Sequence, residues 1–255
     1  MTDRVEGTEA RRRERVDGRT GEKRKQGPIT LAIDIGGTGM KALLLDPNGN
    51  AVTERVRIET PRPATPKKVV AALLDLVGGL GDFDRVSVGF PGVVVDGTIR
   101  SAPNLDGHWK GVPLGRVLSL SLGRPVRVLN DAGVQGYGVI EGKGTEMVIT
   151  LGTGMGAALY NDGHYVPNLE LAHHPFRGEQ TYEDYVGACA LEKIGKKRWN
   201  RRVAEVIDQI DPIWNPRRIY IGGGNAKHLH LKLPKHVSIT ENVAGLLGGI
   251  ALWRS

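Results

Sequence analysis

A glycine-rich turn directly after an acidic residue is the first feature of this sequence that suggests chemistry. Residues 31–41 are LAIDIGGTGMK, so an apolar run reaches Asp34, breaks into Gly36-Gly37-Thr38-Gly39 and resumes as a second apolar run. Two strands joined by a tight glycine turn form a hairpin, and successive exposed N–H groups form an anion-binding concavity. The stretch predicts a hairpin that holds phosphate, with an ordinary glycine-rich hairpin as the alternative.

The same arrangement occurs a second time. The strand-like run EMVITL at 146–151 is followed by the turn GTGMG at 152–156 and then by AALYNDG. A third glycine run, at 222–224, lies between a predicted strand and a predicted helix, and a helix N-terminus favours anions. Two hairpin-led α/β halves predict two related domains that face a cleft, each contributing one phosphate-holding turn.

Hydrophobic spacing predicts the elements that hold these turns in place. In the first half, strands at 29–35, 40–46 and 51–58 precede a helix and a strand at 85–90. Thr65 is a suitable N-cap for that helix, and Pro66 suits its first position. The second half is predicted to contain a strand at 124–131, a short helix from Ala132, the hairpin at 146–160, charged helical segments within 180–210, a strand at 217–224 and a closing helix at 241–253.

Composition narrows the class of protein. The chain has 255 residues, a hydrophobic content of 40% and a formal charge of +7. No apolar run approaches the roughly 20 residues that span a bilayer, and no secretory signal is present, so we expect a cytoplasmic protein. The single cysteine, Cys189, excludes an intrachain disulfide and a Cys-rich zinc site. Residues 1–28 hold nine Lys/Arg and six Asp/Glu, a net +3, and predict a disordered basic tail that is either solvated or touches a polyanion.

Seven motifs follow one another along the chain: DIGGTGMK (34–41), FPGVV (90–94), APNLDGHWKG (102–111), VLNDAG (128–133), LGTGMG (151–156), PNLELAHH (167–174) and IGGGNAK (221–227). In this order they resemble the ROK family of sugar kinases. Gly39, Lys41, the TPRPATP segment and the absence of a Cys-rich zinc motif are most similar to the polyphosphate glucokinase branch of that family. Ala172 and Gly133 depart from the usual pattern, where Gly and a second Asp are common.

The resemblance implies an α/β, actin-like/hexokinase (ribonuclease H-like) fold of two domains with a central cleft. We expect the small N-terminal domain at 29–128, completed by the C-terminal helix 241–255, and the C-terminal domain at 129–240. It also implies that Asp131 is the catalytic base that accepts the proton of a sugar hydroxyl. Locally, an Asp between a strand and a helix is equally well explained as an N-cap.

The remaining site residues are likewise implied by the family match. Sugar-binding residues are expected at Asn104, Asn130, Asp131, Glu170 and His173. Phosphate-binding residues are expected at Gly36, Gly37, Thr38, Lys41, Gly152, Thr153, Gly154, Gly222, Gly223 and Gly224. Asp34 is the expected Mg²⁺ ligand, since Mg²⁺ favours a few carboxylates together with phosphate oxygens. Lys41 either adds a cation to the turn or points to solvent.

The expected activity is phosphorylation of glucose at its 6-hydroxyl with inorganic polyphosphate as donor. The alternatives are the same reaction with ATP, a sugar-responsive regulator and an actin-like filament subunit. The tail of 28 residues is too short and too polar to form the DNA-binding domain of a regulator, so we expect no nucleic-acid partner. We also expect the protein to be a homodimer. Five basic residues on a predicted helix form either a guide for polyphosphate or a solvated face: Lys196, Lys197, Arg198, Arg201 and Arg202.

Overall fold

The computed structural model describes residues 27–240, 246 and 248–253. Nearly all of the predicted basic tail, and residues 241–245, 247, 254 and 255 of the predicted closing segment, lie outside the described residues. Within the described part, no helix is long and apolar enough to cross a membrane.

The N-terminal half is built on a five-stranded sheet. Its strands are β1 (Thr30–Ile35), β2 (Gly39–Leu45), β3 (Val56–Glu59), β4 (Arg85–Phe90) and β7 (Val126–Asn130), and a small hairpin forms β5 (Val94–Val95) and β6 (Thr98–Ile99). The strand order is β3-β2-β1-β4-β7. β1, β2 and β3 pair antiparallel, whereas β4 and β7 extend the sheet in parallel. Helices α1 (Pro66–Val77) and α2 (Leu114–Leu122) bury their apolar residues in the same core as the sheet.

The C-terminal half repeats this topology. Its main strands are β8 (Thr145–Leu151), β9 (Met155–Asn161), β10 (His164–Val166), β13 (Arg218–Gly222) and β14 (Val237–Ile239), and a small hairpin forms β11 (Pro175–Arg177) and β12 (Gln180–Thr181). The order β10-β9-β8-β13-β14 again places an antiparallel meander beside two parallel strands. Helices α4 (Tyr182–Val186) and α5 (Ala188–Trp214) pack into a second core. The predicted two-domain architecture is therefore present, with one sheet in each half.

Helix α3 (Asp131–Tyr137) joins the two halves, because it follows β7 and contacts both β4 and the β8–β9 hairpin. Small residues permit this approach: a Cβ atom at Gly136 would lie 2.2 Å from the Tyr160 hydroxyl oxygen. The described C-terminal segment returns to the first sheet, where Ser87 Oγ donates to the Gly249 carbonyl at 2.6 Å and accepts from Trp253 Nε1 at 2.8 Å. This packing supports the expectation that the C-terminus completes the N-terminal domain.

Four local predictions differ from the structure. β3 begins at Val56, because the Leu44 amide donates to the Thr53 side chain at 3.0 Å and interrupts regular pairing. Thr65 occupies the N-cap position of α1, but its side chain makes no capping hydrogen bond. The segment after β13 forms only a 3₁₀ turn, Ala226–His228, and the described residues 248–253 also form a 3₁₀ helix.

Candidate active site

The glycine turns of the two sheets face each other across a cleft of about 730 Å³. The cleft is lined by almost every residue that the sequence predicts for the site: Asp34, Gly36, Gly37, Thr38, Lys41, Asn104, Asn130, Asp131, Gly152, Thr153, Gly154, Glu170, His173, Gly223 and Gly224. Gly222 is the exception. It is buried in β13 opposite Thr150 of β8, so the sheet surrounds it and it does not line the cleft.

The first turn closes the β1–β2 hairpin through a hydrogen bond from the Gly36 amide to the Gly39 carbonyl at 3.0 Å. Its glycines are required by crowding rather than by a left-handed backbone, since neither Gly36 nor Gly37 has a positive φ. A Cβ atom at Gly36 would lie 2.8 Å from the Gly39 oxygen, and one at Gly37 would lie 3.2 Å from the Asn104 oxygen. A side chain here would displace the loop that carries Asn104.

Asp34 and Lys41 lie directly opposite each other in the β1–β2 register, so their side chains share one face of the sheet. Lys41 Nζ donates to Asp34 Oδ2 at 3.0 Å, which directs the lysine into the cleft rather than to solvent. Asp34 Oδ1 has no hydrogen-bond partner among the described residues. No cluster of three or more His, Cys, Asp or Glu side chains in the described part of the chain is arranged to hold a metal. The unpartnered Oδ1 of Asp34 beside the first turn is the kind of donor that Mg²⁺ uses together with phosphate oxygens and water.

The second turn is held by contacts on both of its sides. The Gly152 amide donates to the Gly154 carbonyl at 2.9 Å, and the Ala188 amide of α5 donates to Thr153 at 3.0 Å. From the other side, Asn225 Nδ2 donates to the Gly152 carbonyl at 2.8 Å. The backbone N–H of Asn225 also donates to the backbone carbonyl of Leu151. This contact explains why the chain after β13 does not continue as a regular helix.

Asp131 is the first residue of α3, and the cap of that helix is its neighbour Asn130. Asn130 Oδ1 accepts from the Gly133 amide at 3.2 Å, and its Nδ2 donates to the Gly92 carbonyl at 3.2 Å. The N-cap explanation for Asp131 is therefore wrong, and Asn130 has a structural role besides its predicted contact with sugar. Gly133 fits here because a Cβ atom would lie 3.0 Å from the ring of Tyr165.

The carboxyl group of Asp131 has a raised pKa of about 7. Burial is the main cause, and the negative charges of Asp34 and Glu170 add to it, whereas the hydrogen bond from the Ala132 amide at 2.8 Å opposes it. A carboxylate with a pKa near neutral pH combines availability of the unprotonated form with strength as a base. The site thus contains a group suited to accept a proton from a weakly acidic hydroxyl.

A second group of polar side chains lies on the C-terminal side of the cleft. Glu170 Oε2 and His173 Nε2 lie 3.6 Å apart at the ends of a 3₁₀ turn. Burial raises the pKa of Glu170, the His173 charge lowers it and the Glu183 charge raises it further. Glu183 accepts a hydrogen bond from the Met155 backbone amide at 3.1 Å and lines the cleft. It is therefore a second carboxylate, besides Glu170, on the C-terminal side of the cleft.

Comparison with known proteins agrees with this geometry. The sequence model of the ROK family matches residues 30–168. The chain belongs to the ROK family. It is 31% identical over 236 residues to a polyphosphate glucokinase of Mycobacterium tuberculosis, covering 86% of this chain and 88% of that protein. The polyphosphate glucokinase of Mycobacterium leprae is 30% identical, with 86% and 72% covered.

Solved structures confirm the predicted fold of this ROK protein. The inorganic polyphosphate/ATP-glucomannokinase of Arthrobacter sp. strain KM superposes with a TM-score of 0.80 at 34% identity, covering 89% of this chain and 99% of that one. A ROK glucokinase of Streptomyces griseus, solved with glucose and AMPPNP, gives a TM-score of 0.72 at 22% identity over 88% and 98% of the two chains, which is evidence for the fold alone.

Several residues of this ROK cleft were missed from the sequence. Arg62, within the TPRPATP segment, donates to the Gly37 carbonyl at 2.7 Å and to Asp106 at 3.1 Å, so it braces the first turn. Gln135 lies one helical turn after Asp131 and lines the same cleft, which the i, i+4 spacing would have indicated. Arg57, Asn225 and Lys227 also line it, and only their positions in three dimensions identify them.

The pKa of Asp131 leads to a prediction for the pH dependence of this ROK protein. Because the base acts unprotonated, kcat/KM for glucose should fall about tenfold per pH unit below pH 7 and level off above it. Asp34→Asn removes a charge that raises this pKa, so the inflection should move to lower pH, whatever happens to the maximal rate. Asp75→Asn, the same change on α1 outside the cleft, is the control; an Asp34→Asn profile with the wild-type inflection would contradict the assignment.

Proposed function

We propose that this ROK protein transfers the terminal phosphoryl group of inorganic polyphosphate to the 6-hydroxyl of glucose. The observation that carries the proposal is the position of Asp131. Its carboxyl group, with a pKa of about 7, lines the same cleft as both glycine turns and the Glu170–His173 pair. An acceptor hydroxyl, a base and a phosphate site can therefore meet at one point.

The reaction follows from the residues that line the cleft. Asn104, Glu170 and His173, with Glu183, offer donors and acceptors to the sugar hydroxyls, and Asp131 accepts the proton of the 6-hydroxyl. That oxygen bonds to the terminal phosphorus as the bond between this phosphorus and the bridging oxygen breaks, and the shortened polyphosphate leaves. Phosphoryl transfer relies on positioning and charge stabilisation, which the backbone N–H groups of Gly37, Thr38, Thr153 and Gly154 supply.

Mg²⁺ is proposed as the metal of this site, with Asp34 as its protein ligand. When bound, the ion would neutralise charge on the transferring phosphate and its neighbours. Lys41 Nζ donates a hydrogen bond to Asp34 Oδ2 at 3.0 Å, and Lys41 itself lines the cleft. This pair therefore offers both a ligand for the ion and a fixed cation for the phosphate.

The choice of donor is supported by the cations beside the two glycine turns and by the relatives. Lys41, Arg57, Arg62 and Lys227 all line the cleft, and a polyanion is attracted by such a set of cations. ATP is the second candidate donor, because the Arthrobacter protein is described as acting with both polyphosphate and ATP. A coupled assay for glucose 6-phosphate, with each donor at matched Mg²⁺, tests the proposal. Turnover with ATP and none with polyphosphate would replace it with an ATP glucokinase, and turnover with neither would favour a regulator.

Added salt should change the KM values of the two substrates to different extents. A long polyanion neutralises several cations at once, and the screening length shortens to about 8 Å at physiological ionic strength. The KM for long-chain polyphosphate should therefore rise steeply with added KCl, whereas the KM for glucose, which is uncharged, should change little. The assay is repeated from low to high KCl at saturating levels of the other substrate. Equal responses of the two KM values would contradict polyphosphate binding by these cations.

The homodimer and the cytoplasmic location remain predictions. Light scattering after size-exclusion chromatography tests the first, and fractionation of the producing cells tests the second.

A further inference from the structure

A second group of basic residues lies just outside the cleft, where α5 meets the segment after β13. Asn200, which is buried in α5, binds these two segments together. Its Nδ2 donates to the carbonyl groups of Lys196 at 2.8 Å and His228 at 2.9 Å, and its Oδ1 accepts from the His230 amide at 2.6 Å. One buried side chain thus fixes the backbone of three basic residues side by side. We call Lys196, His228 and His230 the distal basic cluster.

The distal basic cluster has no acidic partners in the part of the chain that the structure describes. None of its three side chains forms an ion pair or hydrogen bond with another described residue, and the same holds for Lys227 beside it. Partial desolvation, and then the charges of Lys196, Lys227 and His230, lower the pKa of His228. Lys196, Lys227 and the two imidazole rings therefore lie close together, so the ammonium groups and the imidazole N–H groups can reach one anion. An uncompensated cluster of this kind is stabilised by an anion that spans it.

The cluster is continuous with the donor side of the cleft. Gly223, Gly224 and Asn225 line the cleft, Asn225 is hydrogen-bonded to the second glycine turn, and Lys227 is the last residue of this segment in the lining. His228 follows directly in the chain and His230 two residues later. A chain of phosphates that starts between the two glycine turns meets, in order, the 223–225 segment, Lys227 and then the distal basic cluster.

We propose that the distal basic cluster is a binding site for the part of a polyphosphate chain that extends beyond the cleft, so that the protein favours long chains over short ones. The proposal rests on the proposed function. Of the five basic residues predicted as a patch on α5, the proposal assigns only Lys196 to polyphosphate binding. Arg202 instead stacks on the ring of Tyr185 at 4.2 Å and donates to the Tyr185 backbone carbonyl.

The test compares long-chain polyphosphate with tripolyphosphate in the variant Lys196→Gln/His228→Gln/His230→Gln. The KM for long-chain polyphosphate should rise about tenfold, as expected for the loss of one ammonium group and two imidazole N–H donors that contact phosphate. The KM for tripolyphosphate, which ends within the cleft, should change by less than about twofold. Lys196→Gln alone should give a smaller change in the same direction, and it guards against a folding defect in the triple variant. Lys67→Gln/Lys110→Gln, two exposed lysines that do not line the cleft, is the control for total charge.

Two results would overturn the inference while the proposed function stands. The first is an unchanged KM for long-chain polyphosphate in the triple variant. The second is an equal rise in KM for both donors, which would place the effect inside the cleft. If the wild-type protein turns over no polyphosphate of either length, the proposed function fails and the inference fails with it.

Discussion

Replacing Asp131 with asparagine is expected to lower kcat for glucose phosphorylation by about two to four orders of magnitude. The amide keeps the size and hydrogen-bonding shape of the side chain but cannot accept the proton of the 6-hydroxyl. Glucose binding should persist, because Asn104, Glu170, His173 and Glu183 are unchanged. Steady-state kinetics give kcat, and isothermal titration gives the dissociation constant for glucose.

A stability measurement provides an independent check on the same variant. The folded-state pKa of Asp131, about 7, lies above its ordinary value of 3.8, so folding favours the protonated form. Its contribution to stability is fully present below pH 3.8 and is lost progressively as the pH rises to about 7. Asp131→Asn, which stays neutral, should therefore have a higher Tm than the wild type, by a difference that is small near pH 4, grows up to pH 7 and is constant above it. Wild-type turnover, or a Tm difference that does not depend on pH, would contradict the role of Asp131; Asp75→Asn is the control.

Replacing Gly223 with alanine should destabilise the fold by about 3 kcal/mol or more. Gly223 has a φ of +91°, and a Cβ atom there would lie 2.3 Å from the Leu151 carbonyl oxygen and 2.6 Å from the Leu151 nitrogen. Because the obstacle is backbone, β8 and the turn that follows it must move. The free energy of unfolding from urea titration measures the effect, and the KM for the donor should rise as the turn shifts.

Gly224 provides a matched control for this prediction. It is the next residue in the chain and lines the same cleft, but a Cβ atom there meets nothing within 4 Å and its φ is not positive. Gly224→Ala should change the free energy of unfolding by no more than about 0.5 kcal/mol. Equal losses in the two variants would mean that the crowding at Gly223 does not determine stability.

Much of the fold was predictable because its signals are local. Apolar runs on both sides of a glycine turn specify a hairpin, and the chain contains that pattern twice, at Asp34 and at Leu151. The repeat of the pattern in the sequence correctly predicted the repeat of the topology. Pro66 likewise marks the start of α1, because proline fits the first turn of a helix.

What could not be predicted depends on contacts between distant residues. The backbone N–H of Asn225 donates to the Leu151 carbonyl and its side chain donates to the Gly152 carbonyl, and these contacts override the expected helix after β13. The direction of Lys41 follows from the register that places it opposite Asp34, which local propensity does not determine. The pKa of Asp131 requires burial and two carboxylates from other segments, and the distal basic cluster requires Asn200 to join α5 to residues 228–230.

The central claim is that this cleft transfers phosphate from polyphosphate to the 6-hydroxyl of glucose with Asp131 as the base. Phosphorus NMR of the purified protein with glucose, long-chain polyphosphate and Mg²⁺, in the absence of any nucleotide, tests it most directly. We expect a phosphomonoester signal of glucose 6-phosphate that grows with the wild-type protein and is slowed at least about a hundredfold with Asp131→Asn. A wild-type sample that forms the ester only after ATP is added, or an Asp131→Asn sample that forms it at the wild-type rate, would contradict the account.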